Sequence, residues 1–97
     1  MKLLALERAL PRGSAAECAP YLKSEAARAW ELHQAGIIRE LYFRADRSEA
    51  VLVLECDGPE QCRDVLATLP LVRAGLIEFE IIPLVPYSGF GRLFGPG

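Results

Sequence analysis

The spacing of apolar and polar residues changes several times along this 97-residue chain, and the changes mark out its elements. Lys2 to about Leu10 is apolar-rich and reads as a strand, ended by the turn Pro11-Arg12-Gly13-Ser14. Leu22, Ala26, Ala29, Trp30 and His33 then recur at three- and four-residue steps. That spacing predicts a helix from about Ala19 or Pro20 to Ala35 with this stripe turned inward. Pro20 suits the first turn, Ser24 and Glu25 fall on the outer surface, and Gly36 follows the last turn, where a left-handed residue is needed. The run Ile37 to Arg44 is a second strand. The polar turn Ala45-Asp46-Arg47-Ser48 leads into Ala50–Cys56, an almost unbroken apolar strand. Asp57-Gly58-Pro59-Glu60 opens a second helix, expected over Glu60 to Leu69 and stopped at Leu69-Pro70-Leu71. After a link through Arg73, Ala74 and Gly75, Leu76 to Pro83 forms the last strand.

The order is β-α-β-β-α-β, a ferredoxin-like α+β arrangement with two helices on one face of a four-stranded antiparallel sheet. The Ala50–Cys56 run suits the sheet centre beside the first strand, because burial on both faces favours so continuous an apolar stretch. The second and last strands become edges. The second strand is the odd one. Simple alternation puts Ile37, Arg39, Leu41 and Phe43 on one face and Ile38, Glu40, Tyr42 and Arg44 on the other, so both faces mix charge with bulk. Apolar groups on both faces of the strands call for a cover on the helix-free side. A second sheet, in a dimeric α+β barrel, supplies it.

Residues 1–85 therefore form one domain. The tail 86–97 is rich in glycine and proline, yet carries Tyr87, Phe90, Leu93 and Phe94, which points to packing on the domain or on a partner subunit. The apolar fraction of 52% is high for so short a chain and favours a homodimer or higher homo-oligomer. With 11 basic and 13 acidic residues spread along the chain there is no basic stripe, which argues against a nucleic-acid partner. No apolar run reaches the length of a membrane span. Glu7 and Arg8 cut the first apolar run too short for a secretion signal, so a cytoplasmic location is expected. Cys18, Cys56 and Cys62 are odd in number. A Cys56–Cys62 disulfide is conceivable, but reduced, ordinarily buried thiols fit better. One histidine and no clustered thiols leave no ligand set for a metal, and no nucleotide fingerprint is present; no cofactor is expected.

From Gly36 to about Phe79 the chain resembles the muconolactone isomerase-like group of the dimeric α+β barrel superfamily. The residues that carry the resemblance are Gly36, Arg39 with Leu41, and Leu69-Pro70-Leu71 followed by Ile77-Glu78; Glu25, Ala29 and Leu32 fit more loosely. The resemblance implies a barrel that hosts isomerases, monooxygenases, decarboxylases and plain binders. Glu40 stands where the isomerase has a histidine, and Ile38 and Tyr42 stand at its tryptophan positions, so the polarity of the pocket should differ.

Four residues are the candidates for chemistry. His33 is the only side chain whose ordinary pKa lies near neutrality, which suits proton transfer; otherwise it is a half-buried helix-end residue. Arg39 could hold a substrate carboxylate through a bidentate pair, or a glutamate of the protein. Glu40 could act as a base if desolvated, or lie solvated at an edge. Tyr42 could donate to an enolate-like oxygen, or pack at an interface. The expected function is cofactor-independent proton transfer, an isomerisation, on a small carboxylated or carbonyl compound. The alternatives are a cofactor-free monooxygenase and a non-catalytic small-ligand or oligomerisation module. Glu78 and Glu80 share a face with Ile82 and are expected to meet Arg39 or Arg44 of a partner chain.

Overall fold

Strand β1 (Lys2–Ala9) runs through the middle of a four-stranded sheet in a computed structural model that describes residues 1–96. Gly97, the last residue of the tail, lies outside the described residues. The sheet order is β2-β3-β1-β4, with β2 at Ile38–Phe43, β3 at Ala50–Glu55 and β4 at Ile77–Pro83, and every pairing is antiparallel. The apolar β3 strand is central and β2 and β4 are the edges, as its continuous hydrophobic run requires.

Leu3 and Ala5 of β1 and Leu52 and Leu54 of β3 point to one face, and all four are buried. Leu32, Cys62, Leu66 and Leu69 close that core from above. Fully burying a side chain such as Leu3, Ile38, Leu54 or Leu69 stabilises the fold by roughly 1.5–3 kcal/mol, and this layer is what fixes the sheet against the helices.

The helical layer is more broken than the periodicity predicts. Ser14 caps a short helix α1 (Ala15–Cys18), its side chain accepting from the Glu17 N–H at 3.2 Å. A 3-10 turn over Ala19–Tyr21, with Pro20 in it, leads into helix α2 (Leu22–Gln34). The predicted inward stripe is only half right. Ala26 and Ala29 do face the sheet side, but Trp30 is 59% exposed and His33 is also exposed. Leu32 is the residue that α2 buries. The predicted second helix is two: α3 (Pro59–Leu66) and a separate turn of helix α4 (Pro70–Arg73), because Pro70 has no N–H with which to continue α3.

Both helical units enter their strands through the same device. At the end of α2, the Gly36 N–H bonds the His33 carbonyl and the Ile37 N–H bonds the Leu32 carbonyl, with Gly36 at φ 77°. At the end of α4, the Gly75 N–H bonds Val72 and the Leu76 N–H bonds Leu71, with Gly75 at φ 73°. Each is a Schellman cap whose left-handed residue is tolerated because it lacks a side chain.

The mixed faces of the charged strand have a simple cause. Ile38 pairs with Leu54 and Glu40 pairs with Val53, so one extra residue, Arg39, is bulged out of β2. Ile38, Leu41 and Phe43 thereby fall on the helix side, and Glu40 and Tyr42 on the other. The simple alternation expected from the sequence fails at that one position.

The helix-free face carries Leu4, Leu6, Val51, Val53 and Ile82, all partly buried within the single chain. Arg8 and Glu80 form an ion pair across this face, so Glu80 already has an arginine partner within its own chain. Cys18, Cys56 and Cys62 are free thiols. Burial pushes the Cys62 thiol up to about 12, with the neighbouring Cys56 adding to the shift, which suits an inert packing group. No helix is long and apolar enough to cross a membrane among the described residues.

Candidate functional site

Between α2 and the sheet lies an open cavity of ≈ 690 Å³, at the end of the sheet where β1 stops and β4 starts. Its size is that of a small-molecule site. The walls are largely apolar: Leu22, Ala26 and Ala29 from the helix, Leu41, Leu52 and Phe79 from the sheet. The alanines matter most. A leucine at position 26 or 29 would occupy the space that they leave between helix and sheet.

Two carboxyl groups enter this apolar space, and both are half-buried. Glu7 shares the inward side of β1 with Leu3, Ala5 and Ala9 and faces Phe79 across the β1–β4 pairing. Its Oε1 accepts the Ala50 N–H at 3.1 Å, tying it to the start of β3. Glu25 comes from α2, and its Oε1 accepts the Leu71 N–H at 2.9 Å. That N–H belongs to the first turn of α4 and has no partner within the helix.

Desolvation raises the pKa of both groups above the usual carboxylate range. For Glu7 the bond from Ala50 opposes the shift and the Glu49 charge adds to it. For Glu25 the bond from Leu71 opposes it and the Glu7 charge adds to it. Neither carboxylate forms a salt bridge among the described residues. An apolar wall that raises a carboxyl pKa, and a second carboxyl that adds to the effect, is the arrangement by which proteins poise such groups for acid–base work.

Sequence reasoning passed over both. Glu25 was expected on the helix surface, and Glu7 figured only as an interruption of an apolar run. The signals were available: Glu7 continues the period-two inward set Leu3, Ala5 and Ala9, and Glu25 precedes Ala29 and Leu32 by four and seven residues.

The four sequence candidates are distributed otherwise. His33 lies at the end of α2 outside the cavity, where its Nδ1–H donates to the Ile38 carbonyl at 2.9 Å and its ring stands 6.0 Å from that of Trp30. Arg39 is exposed at the bulge, and its Nε–H turns back to the Gly36 carbonyl. Glu40 is exposed and accepts from the Tyr42 hydroxyl at 2.6 Å, which raises the pKa of Tyr42. Only Tyr42 touches the cavity, at its edge. Glu40 and Tyr42 are thus brought together, while His33 and Arg39 stand apart from them.

Arg44, Arg47, Asp46 and Glu49 form an ion-pair network in the β2–β3 turn beside the rim, with Arg44 bidentate to Asp46 at 2.6 and 2.8 Å. No cluster of three or more metal-binding side chains occurs among the described residues.

The profile of the muconolactone delta-isomerase family matches residues 4–89, nearly the whole chain and every element that frames the cavity. The chain belongs to the muconolactone delta-isomerase family. A crystal structure of muconolactone isomerase superposes with a TM-score of 0.74 at 22% sequence identity, over 91% of this chain and 92% of that one. The 5-chloro-2-hydroxyhydroquinone dehydrochlorinase of Burkholderia phenoliruptrix AC1100, solved with 2,5-dihydroxybenzoquinone, superposes with a TM-score of 0.69 at 15% identity. It covers 92% of this chain and 98% of its own. These two likenesses are of fold. No curated protein matches the sequence. Family membership and architecture accord with the resemblance carried by Gly36, Arg39, Leu41 and Leu69-Pro70-Leu71.

Proposed function

We propose that this member of the muconolactone delta-isomerase family moves a proton between two carbons of a small carbonyl compound, with Glu7 and Glu25 as the acid–base pair. One observation carries this reading: two unpaired carboxyl groups with raised pKa values face one apolar cavity. In this reading the pair holds one proton between its two members. The ionised member removes a proton from the carbon next to the substrate carbonyl, leaving an enolate. The protonated member then delivers its proton to the far carbon of the conjugated system, and the double bond moves. After one turnover the two carboxyls have exchanged protonation states, so a proton must pass back before the next. A lactone or a hydroxylated ring of the kind named for the two structural relatives fits a cavity of ≈ 690 Å³.

Tyr42 borders the cavity, but its side chain lies with Glu40 on the helix-free side of β2, its hydroxyl held by Glu40, so it would donate to a substrate oxygen only where assembly encloses that side. His33, Arg39 and Glu40 would act in catalysis only in a cavity that assembly brings to them. The apolar centre of the helix-free face supports that assembly, a homodimer with sheet packed on sheet. Three free thiols fit a reducing, cytoplasmic setting.

The test is hydrogen exchange at carbon. Small lactones and cyclic enones are incubated with the protein in D2O, and deuterium uptake beside the carbonyl is followed by NMR. Wild-type protein accelerates uptake for at least one of them, and Glu7→Gln and Glu25→Gln remove the acceleration. Uptake unchanged in both variants overturns the assignment.

A second reading, a binding module without turnover, draws support from the backbone N–H that each carboxylate already holds, since that bond alone would justify the residue. Ligand binding that survives in both glutamine variants, with no exchange in the wild type, would favour it.

A further inference from the structure

We propose that this cavity selects an uncharged, hydroxyl-bearing ring and rejects a ligand of similar size that carries a carboxylate, with Glu7 and Glu25 making the choice. The inference deepens the proton-transfer reading and rests on the same cavity being the functional site.

The charge in the lining is of one sign. Glu7 and Glu25 are its charged members, and no lysine, arginine or histidine lines the space. The cations near it in the chain are committed or turned elsewhere. Arg44 and Arg47, in the turn that brings Ser48 to the wall, pair with Asp46 and Glu49. Arg28, three residues after Glu25 on α2, donates to the Thr68 hydroxyl at 2.9 Å. Arg12 and Lys23 adjoin lining residues but are exposed and outside the lining. Arg39, to which the sequence assigns a substrate carboxylate, stands outside the cavity with its Nε–H on the Gly36 carbonyl.

A ligand carboxylate among these walls would lose its water and gain no cation. It would also sit beside like charge. With one proton shared between the two acids, one negative charge remains in the cavity, and repulsion is strongest where water is excluded. Esterifying the ligand removes both costs and keeps its ring.

What the two acids can recognise is a donor. Each has one oxygen engaged: Oε1 of Glu7 accepts from Ala50 at 3.1 Å, and Oε1 of Glu25 accepts from Leu71 at 2.9 Å. Among the described residues neither Oε2 has a hydrogen bond. A carboxylate oxygen in an apolar wall is satisfied by a hydroxyl, and the bond is strengthened by the charge. One acid then holds the ligand hydroxyl while the other works at carbon. Leu52, Leu71, Ile77 and Phe79 supply an apolar wall for an unsaturated ring.

Calorimetry at neutral pH tests the choice with three unsaturated five-membered lactones that differ in one arm: carboxymethyl, its methyl ester, and hydroxyethyl. The wild type is expected to bind the ester and the hydroxyethyl lactone at least about tenfold more tightly than the acid, the hydroxyethyl lactone most tightly. In Glu7→Gln/Glu25→Gln that preference should shrink to roughly threefold or less, because the repelling charge is gone. Leu22 lines the cavity and is 55% exposed, so Leu22→Arg adds a cation without opening the core. That variant should gain about tenfold in affinity for the acid and leave the ester unchanged, and it decides the matter if circular dichroism shows the double glutamine variant unfolded. An acid bound as tightly as the ester by wild type overturns the proposal, as does a preference kept intact in a folded double variant. So does an acid affinity that Leu22→Arg leaves unmoved, or failure of all three lactones to bind. Binding requires no turnover, so failure here is separate from failure of the proton-transfer reading, which the deuterium experiment decides.

Discussion

Glu7 and Glu25 reach one apolar cavity from opposite walls, a strand and a helix, and each is anchored by a backbone N–H from a third element. The anchors, Ala50 at the start of β3 and Leu71 at the start of α4, limit how far either carboxylate can swing. Geometry of that kind is what acid–base catalysis needs, because the proton must be met within hydrogen-bonding reach.

Replacing either acid by glutamine keeps the Oε1 acceptor and removes the titrating proton. Glu7→Gln and Glu25→Gln should each lower kcat by roughly 10²- to 10⁴-fold with little change in fold. His33→Ala and Arg39→Ala, outside the cavity, serve as comparisons. Steady-state rates on whichever lactone or enone exchanges deuterium, with circular dichroism as the control, give the answer; a larger loss in His33→Ala or Arg39→Ala would move the chemistry to those residues.

Stability should fall as pH rises. Both carboxyls have folded pKa values above their unfolded ones, so the folded state keeps its protons to higher pH than the unfolded chain. Their contribution is complete below the ordinary carboxylate range and is lost as pH rises through the raised values. Asp46, held below its usual value by Arg44, has the opposite sign: its contribution is present above the ordinary aspartate pKa and lost in acid. Urea unfolding between about pH 5 and 8 should show a decline in wild type that Glu7→Gln/Glu25→Gln flattens. An unchanged slope would mean that neither group is desolvated in solution.

Much of the architecture could be read from the chain, and the reason lies in particular residues. Ala50–Glu55 is apolar on both faces, so it had to be central, and Gly36 and Pro70 punctuate the helices. The site was harder. Glutamates are usually solvated, so Glu7 and Glu25 carry no distinguishing mark until the neighbours at their spacing are seen to be buried. His33 and Trp30 failed for the converse reason. Helical spacing shows which residues share a stripe, but the sheet covers the side holding Ala26, Ala29 and Leu32.

Gly36→Ala should destabilise the fold by about 1–2 kcal/mol, since φ 77° suits residues without a side chain and nothing but the flexible Arg39 head lies near the added methyl. Chemical denaturation measures it. A neutral result would show that the α2–β2 junction relaxes freely.

Val53→Glu places a charge in the middle of the helix-free face. If two sheets pack there, sedimentation should show a monomer where the wild type is a dimer or larger. A wild type that is itself monomeric at micromolar concentration would remove the sheet-on-sheet assembly.

The bulge at Arg39 makes one residue of β2 surplus to its pairing. With Arg39 deleted, Ile38, Glu40 and Leu41 would follow one another in regular alternation, and every later side chain of the strand would keep its present face. Sequences of different length could therefore share this sheet, and an alignment forced to run without a gap through residue 39 would equate inward with outward positions on one side of it.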